Sequence, residues 1–168
     1  MKVAFVQHAS LRTIHLFQRQ IPRPLRLRLR PKLALLEKGV GLWMHDAETG
    51  APIGETYALR IKELVSFENV PGIKRPDVDP ERYAYVYSTM ILPQYQGRGL
   101  SKLLKLELYA ILASTFAGVV GHARTGASKR LNESLGATIL ESFDDWYGSG
   151  ETFWLYRFDF DSSMKTSG

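Results

Sequence analysis

Apolar residues along this chain change their period several times, and each change marks an element. Tyr85-Val86-Tyr87-Ser88-Thr89-Met90-Ile91-Leu92 is rich in aromatic and β-branched residues and stops at Pro93, the pattern of a buried strand. From Leu100 to Leu112 the apolar positions recur every three or four residues, the period of a helix with one buried face. Between them lies Gln96-Gly97-Arg98-Gly99-Leu100-Ser101, a turn carrying two glycines. Strand, glycine turn and helix in that order aim free backbone N–H groups and the positive end of a helix dipole at one spot, and such a spot binds phosphate. Gly99 removes a Cβ where the chain must take φ > 0 or approach a ligand. Arg98 and Lys102 add charge-assisted donors for an anion.

The rest of the chain divides in the same way. Val40–His45 and Ile53–Ile61 read as strands around a turn holding Thr49-Gly50, and Phe116–Ala123 as another strand. Ala127–Leu135 reads as a helix with Leu131 and Leu135 inward, closed by Gly136. Thr138–Phe143 and Phe153–Phe160 are strands around Tyr147-Gly148-Ser149-Gly150. Residues 67–82, with Pro71, Gly72, Pro76 and Pro80, form a loop: a surface connection, or a segment that selects substrate. Near the N-terminus, Val3–Val6 suits a strand or a helix start, and Ser10 can cap a helix carrying Leu11, Ile14, Leu16 and Phe17. Pro22 and Pro24 end that helix. Leu25-Arg26-Leu27-Arg28-Leu29-Arg30 alternates strictly, a strand with one basic face, and Leu33–Lys38 reads as a short helix. Residues 1–161 are expected to form one domain, with 162–168 a frayed tail.

Composition narrows the class. The chain has 168 residues, 45% hydrophobic and 23% charged, which is ordinary for a globular domain with a core. It has no cysteine, which excludes disulfides, thiolate nucleophiles and Cys-based metal sites and suits a cytoplasmic, reducing setting. His8, His15 and His45 show no metal-ligand spacing. The net charge is +5, and the excess sits at one end: no acidic residue precedes Glu37. That favours anionic ligands or partners. The Arg-rich segment 19–32 is a candidate surface for nucleic acid or an anionic acceptor, and an acid-free N-terminus is also compatible with a transit peptide.

The glycine turn matches neither a P-loop nor a dinucleotide fingerprint. It resembles the acetyl-CoA pyrophosphate loop of the GNAT superfamily of N-acyltransferases, Gln/Arg-x-x-Gly-x-Gly/Ala, read here as Gln96-x-x-Gly99-x-Ser101. Ile91-Leu92-Pro93-Gln94-Tyr95 is similar to the family's strand end, and Leu131-Asn132-Glu133-Ser134-Leu135-Gly136-Ala137 to its late helix, at a familiar spacing. The resemblance implies an α/β (mixed α+β) fold: a mostly antiparallel sheet with splayed parallel central strands, flanked by helices. It implies acyl transfer from acetyl-CoA, or another short acyl-CoA, to a primary amine in a ternary complex.

The same resemblance implies site residues. Gln96, Gly97, Arg98, Gly99, Leu100, Ser101 and Lys102 would hold the diphosphate. Met90 and Ile91 would pair their backbone with the pantetheine arm, and Ser128 and Asn132 would contact the thiol end. The family's late-helix tyrosine acid is replaced by Asn132, which cannot give up a proton but can hydrogen-bond. A strand glutamate of some members is absent at Val120, and another subgroup's glutamate falls at Tyr85. Glu55 and His122 remain as candidate bases, with Tyr85 as a proton relay through water. Competing readings are a catalytically inactive CoA-binding protein and a nucleic-acid-binding protein; homodimerisation is left open.

Overall fold

A computed structural model of the chain describes residues 1–7, 37–64 and 70–161. The expected helices at 11–17 and 33–38 and the alternating segment 25–30 fall wholly or largely outside the described residues, as do His8, His15 and the whole Arg-rich segment 19–32.

The described elements are β1 (Val3–Val6), β2 (Gly39–Asp46), β3 (Pro52–Arg60), α1 (Ile61–Leu64), β4 (Tyr83–Ile91), α2 (Leu100–Ala113), β5 (Gly118–Ala123), α3 (Gly126–Ser134), β6 (Thr138–Asp144) and β7 (Thr152–Asp159). The strands form a seven-stranded sheet in the order β1-β2-β3-β4-β5-β7-β6. β1 runs antiparallel to β2, and β7 runs antiparallel to both β5 and β6. β4 and β5 are parallel, paired from Tyr83↔Gly118 to Val86↔Gly121. Both strands go on past that last pair, β4 to Ile91 and β5 to Ala123. The expected mixed, mostly antiparallel sheet with a parallel central pair is thus observed. Among the described residues no helix is long and apolar enough to cross a membrane.

Element ends differ from the periodicity in physical detail. Ile61 leaves β3 to start α1. Phe116 and Ala117 stay out of β5, because the Phe116 N–H donates to the Leu112 carbonyl at 2.9 Å to close α2 and the Ala117 N–H donates to Arg82 at 2.8 Å. On α3, Leu131 and Leu135 are only half-buried, and the buried residue is Asn132.

The described residues group into two compact units. The first comprises residues 1–58 and 88–108. The β2–β3 hairpin closes through Asp46 and Gly50, with Asp46 N–H donating to Ala51 at 2.9 Å. Trp43 and Tyr57, each about fully buried, meet edge to face at 5.5 Å. The end of β4 is fixed on β3: Leu92 N–H donates to Ile53 at 2.9 Å, and Thr56 Oγ1 donates to the Ser88 carbonyl at 2.9 Å. This close approach explains Gly54. A Cβ there would lie 2.4 Å from Ile91 Cδ1 and 2.8 Å from the Met90 carbonyl oxygen. Leu104 packs over the same glycine from α2.

The second unit comprises residues 59–87 and 109–168. Tyr109 stacks on Phe158 at 5.0 Å and meets Phe160 at 5.8 Å, so the end of α2 packs on β7 and the residue after it. Gly121 admits the Tyr156 hydroxyl, which would lie 2.7 Å from an added Cβ.

Replacing Gly54 by valine forces the end of β4 and the start of α2 apart. Overpacking of this kind costs about 1–3 kcal/mol. A lowered denaturant midpoint at unchanged slope is the expected result; an unchanged midpoint would show that Met90 and Ile91 give way freely.

Candidate active site

In the first unit the turn after β4 has the form expected of an anion site. A short 3-10 turn, Pro93–Tyr95, follows the strand. The Gln96 side chain reaches back, its Nε2 donating to the Ile91 carbonyl at 2.9 Å, which ties the turn to the strand end. Gly97 and Gly99 sit at φ +75 and +73, with open space where a Cβ would be. These left-handed residues turn successive amides outward. Among the described residues nothing accepts from the N–H groups of Gly97, Arg98, Gly99, Leu100 or Ser101. The latter two belong to the first turn of α2, where helix geometry leaves donors unmatched. Gln96, Arg98 and Lys102 are exposed, and no described carboxylate pairs with either cation. Arg98 lies over the Tyr95 ring at 5.8 Å, a cation–π contact that holds it near the turn. The expected diphosphate ligands, from Gln96 to Lys102, are therefore adjacent and unengaged apart from the Gln96 anchor. Met90 and Ile91 lie at the strand end immediately before them.

Glu55 lies in the same unit. It is 2% exposed, and the Tyr57 hydroxyl donates to its Oε2 at 2.5 Å. Burial and the neighbouring carboxylate hold the Tyr57 hydroxyl well above its ordinary ionisation range. Two residues apart on a strand means one face, so period two alone would have pointed to Tyr57. Lys105 on α2, 3% exposed, was another residue the periodicity missed, and burial pushes its ammonium down to about 7.

In the second unit Tyr85 and His122 meet as expected of neighbouring parallel strands. The Tyr85 hydroxyl lies 2.9 Å from His122 Nδ1. The His122 ring is 4.5 Å from Trp146 and 5.6 Å from Phe143, and Tyr87 stands 6.4 Å from Tyr85. Burial among these rings pushes the imidazole down to about 4, against a smaller opposing effect of the Pro71 carbonyl. His122 Nε2 is buried and makes no hydrogen bond of good geometry. The tautomer of the ring sets which of the Tyr85 hydroxyl and His122 Nδ1 donates.

Asn132 is 1% exposed on α3. Its Nδ2 donates to the Ser128 carbonyl at 3.0 Å, while its Oδ1 is buried without a partner. A buried amide oxygen left unpaired costs about 1–3 kcal/mol and calls for an explanation. The backbone N–H of Ser128 donates to the Thr125 hydroxyl at 3.1 Å, which caps the helix start. Among the described residues no cluster of His, Asp and Glu is placed to hold a metal.

The strand order, the parallel pair and the glycine turn opening α2 together define the fold of the GNAT acetyltransferases. No protein-family model and no curated protein matches the chain. Solved structures do. Arabidopsis thaliana NAA60 in complex with acetyl-CoA is 17% identical with a TM-score of 0.69, covering 95% of this chain and 100% of its own. The ribosomal-protein-S18-alanine N-acetyltransferase of Escherichia coli is 14% identical with a TM-score of 0.69, covering 94% of each chain. A GNAT-family protein of Desulfovibrio desulfuricans is 14% identical with a TM-score of 0.64, covering 94% of this chain and 99% of its own. Identities this low establish the fold and leave the chemistry to this chain's own residues.

The His122 shift has a consequence for stability. The unfolded ring ionises near 6.5 and the folded ring near 4. A depressed histidine leaves stability intact above pH 6.5 and removes it as pH falls from 6.5 to 4, by roughly 2–3 kcal/mol. Denaturant titrations at pH 7 and pH 4.5 should show that loss, and His122→Gln should show a smaller one.

Proposed function

We propose that this protein is an acyl-CoA-dependent N-acyltransferase that moves an acetyl or other short acyl group to a primary amine. The observation that carries the reading is the row of five unmatched amides from Gly97 to Ser101, flanked by the unpaired Arg98 and Lys102. A diphosphate satisfies such donors in one step and gains from the helix dipole. Acetyl-CoA supplies that diphosphate and a thioester; NAA60 and other proteins of this fold are solved with acetyl-CoA or CoA bound. The pantetheine arm would run from the turn along the backbone of Ile91 and Met90.

In the reaction a neutral amine attacks the thioester carbon, the C–N bond forms and the C–S bond breaks, and the thiolate takes up a proton. The amine must first lose a proton, and α-amines do so near pH 7.7–8.0. A histidine held near 4 is a poor store for that proton but stays neutral at working pH. Its role in this reading is to accept the Tyr85 hydrogen bond and fix the hydroxyl, whose oxygen then accepts a hydrogen bond from the amine or from a water that carries the amine's proton to solvent. Asn132 Oδ1, buried and without a partner, is suited to accept from a thiol. Glu55, engaged with Tyr57, would be a second, supporting carboxylate rather than the base that meets the amine.

Asn132 in place of an acid also favours a second reading, a protein that binds acyl-CoA without turnover. CoA release over a panel of amines and peptides separates the two.

Acetyl-CoA should raise the melting temperature by several degrees. Gly99→Trp puts a side chain into a left-handed position at the centre of the turn and should abolish that shift while leaving the unliganded melting temperature within a few degrees. Binding of acetyl-CoA that persists undiminished in this variant would remove the diphosphate from the turn. Asn132→Leu should be near neutral for stability, yet weaken CoA relative to 3′,5′-ADP, the fragment of CoA without the thiol-bearing phosphopantetheine arm.

A further inference from the structure

Residues 70–82 carry no sheet or long helix, yet they are fastened at several points within the second unit. Val70, Ile73 and Val78 are 5%, 3% and 3% exposed. Asp77 joins two arginines: Arg75 Nε donates to its Oδ1 at 2.6 Å, and Arg157 of β7 donates to its Oδ2 at 3.3 Å. Arg157 also donates to Asp159 at 3.1 Å, and Asp159 accepts the Tyr83 hydroxyl at 2.5 Å. Arg75 reaches Glu141 of β6 at 3.5 Å. One exposed ion pair contributes little, but linked pairs over buried apolar anchors hold a segment better than any member alone. Gly72, at φ +68, brings the backbone so near Phe143 that a Cβ would lie 2.5 Å from its Cζ. Phe143 in turn lies against the His122 ring at 5.6 Å.

The groups facing His122 are the Tyr85 hydroxyl from β4, Phe143 from β6, Trp146 from the turn before β7, and the Pro71 carbonyl from this segment. None of them is charged. Two of these neighbours depend on the segment: Pro71 belongs to it, and Gly72 packs against Phe143.

We infer that residues 70–82, anchored by Ile73 and Asp77, are a positioning element that keeps water from His122, so that the ring stays neutral and the Tyr85 hydroxyl stays fixed on its Nδ1. The segment acts through His122 and does not touch the reacting atoms. Its importance for turnover rests on the acyltransferase reading; its effect on the ring does not.

The test uses the full chain without cofactor. NMR titration of His122, its signal assigned by its loss in His122→Gln, is compared between wild type and the double variant Ile73→Ala/Asp77→Ala. Amide exchange at residues 70–82 is followed in parallel. The expected result is faster exchange across the segment and a His122 midpoint at least one pH unit higher in the double variant, with Asp77→Glu close to wild type. Loosened exchange with an unmoved midpoint overturns the inference, because water then reaches the segment without reaching the ring. Unchanged exchange overturns it as well, because Ile73 and Asp77 are then not the anchors. With acetyl-CoA and an amine acceptor, log kcat/KM below pH 6 should fall with slope one in wild type and slope two in the double variant. Failure to turn over any amine would sink the acyltransferase reading and leave the titration result standing.

Discussion

Two left-handed glycines set the terms for the first half of the molecule. At Gly97 and Gly99 the chain adopts a conformation that side chains resist, within a run of amides that no acceptor meets among the described residues. In water those donors cost little, since solvent satisfies them. Their value lies in being already aimed, so that an anion need not organise them. The aim depends on anchoring: Gln96 ties the turn to Ile91, Leu92 ties the strand end to Ile53, and the bare Cα of Gly54 allows Met90 and Ile91 to lie against β3 at all. The candidate anion site is thus supported by a sequence of contacts that ends in a glycine on a different strand.

The second unit rests on a different device, the partial burial of a titratable ring among aromatic neighbours. His122 could carry charge near neutrality in solvent, but the rings of Phe143 and Trp146 and the neighbouring backbone make the charged form the costly one. A neutral imidazole with one nitrogen committed to Tyr85 is a director of hydrogen bonds more than a proton reservoir. Asn132 shows the same economy of polar groups, with one end of its amide satisfied by its own helix and the other left unpaired.

The turn was legible because glycine, a strand's β-branched run and a helix's period meet there without interruption. So were the number and type of the strands from Gly39 onward, since half-buried and buried strands write themselves as alternation or apolar runs. The burial of Asn132 was not legible: Leu131 and Leu135 beside it are the more apolar residues, and only the packing of α3 decides which face turns inward. The Glu55–Tyr57 pair was hidden for a related reason, because a carboxylate in a strand reads as solvent-facing until its partner is known. Residues 70–82 have no period to read, and what fixes them is a set of ion pairs to β6 and β7 distant in sequence. The Arg-rich segment 19–32 was legible as charge alone, and charge names a class of partner without placing it.

The absence of a late-helix acid is less damaging to the chemistry than it first looks. A thiol ionises near 8.5, so a thiolate leaves a tetrahedral intermediate far more readily than an alkoxide or a neutral amine's conjugate base would. In the proposed reaction the rejoined thiol would need only an acceptor for its S–H, and the buried Asn132 Oδ1 would offer one. The harder requirement falls at the other reactant, where an ammonium must become an amine. In the proposed reaction a hydroxyl fixed by a neutral imidazole would meet it by guiding a proton outward, so that the environment of His122 would matter more to turnover than the identity of residue 132.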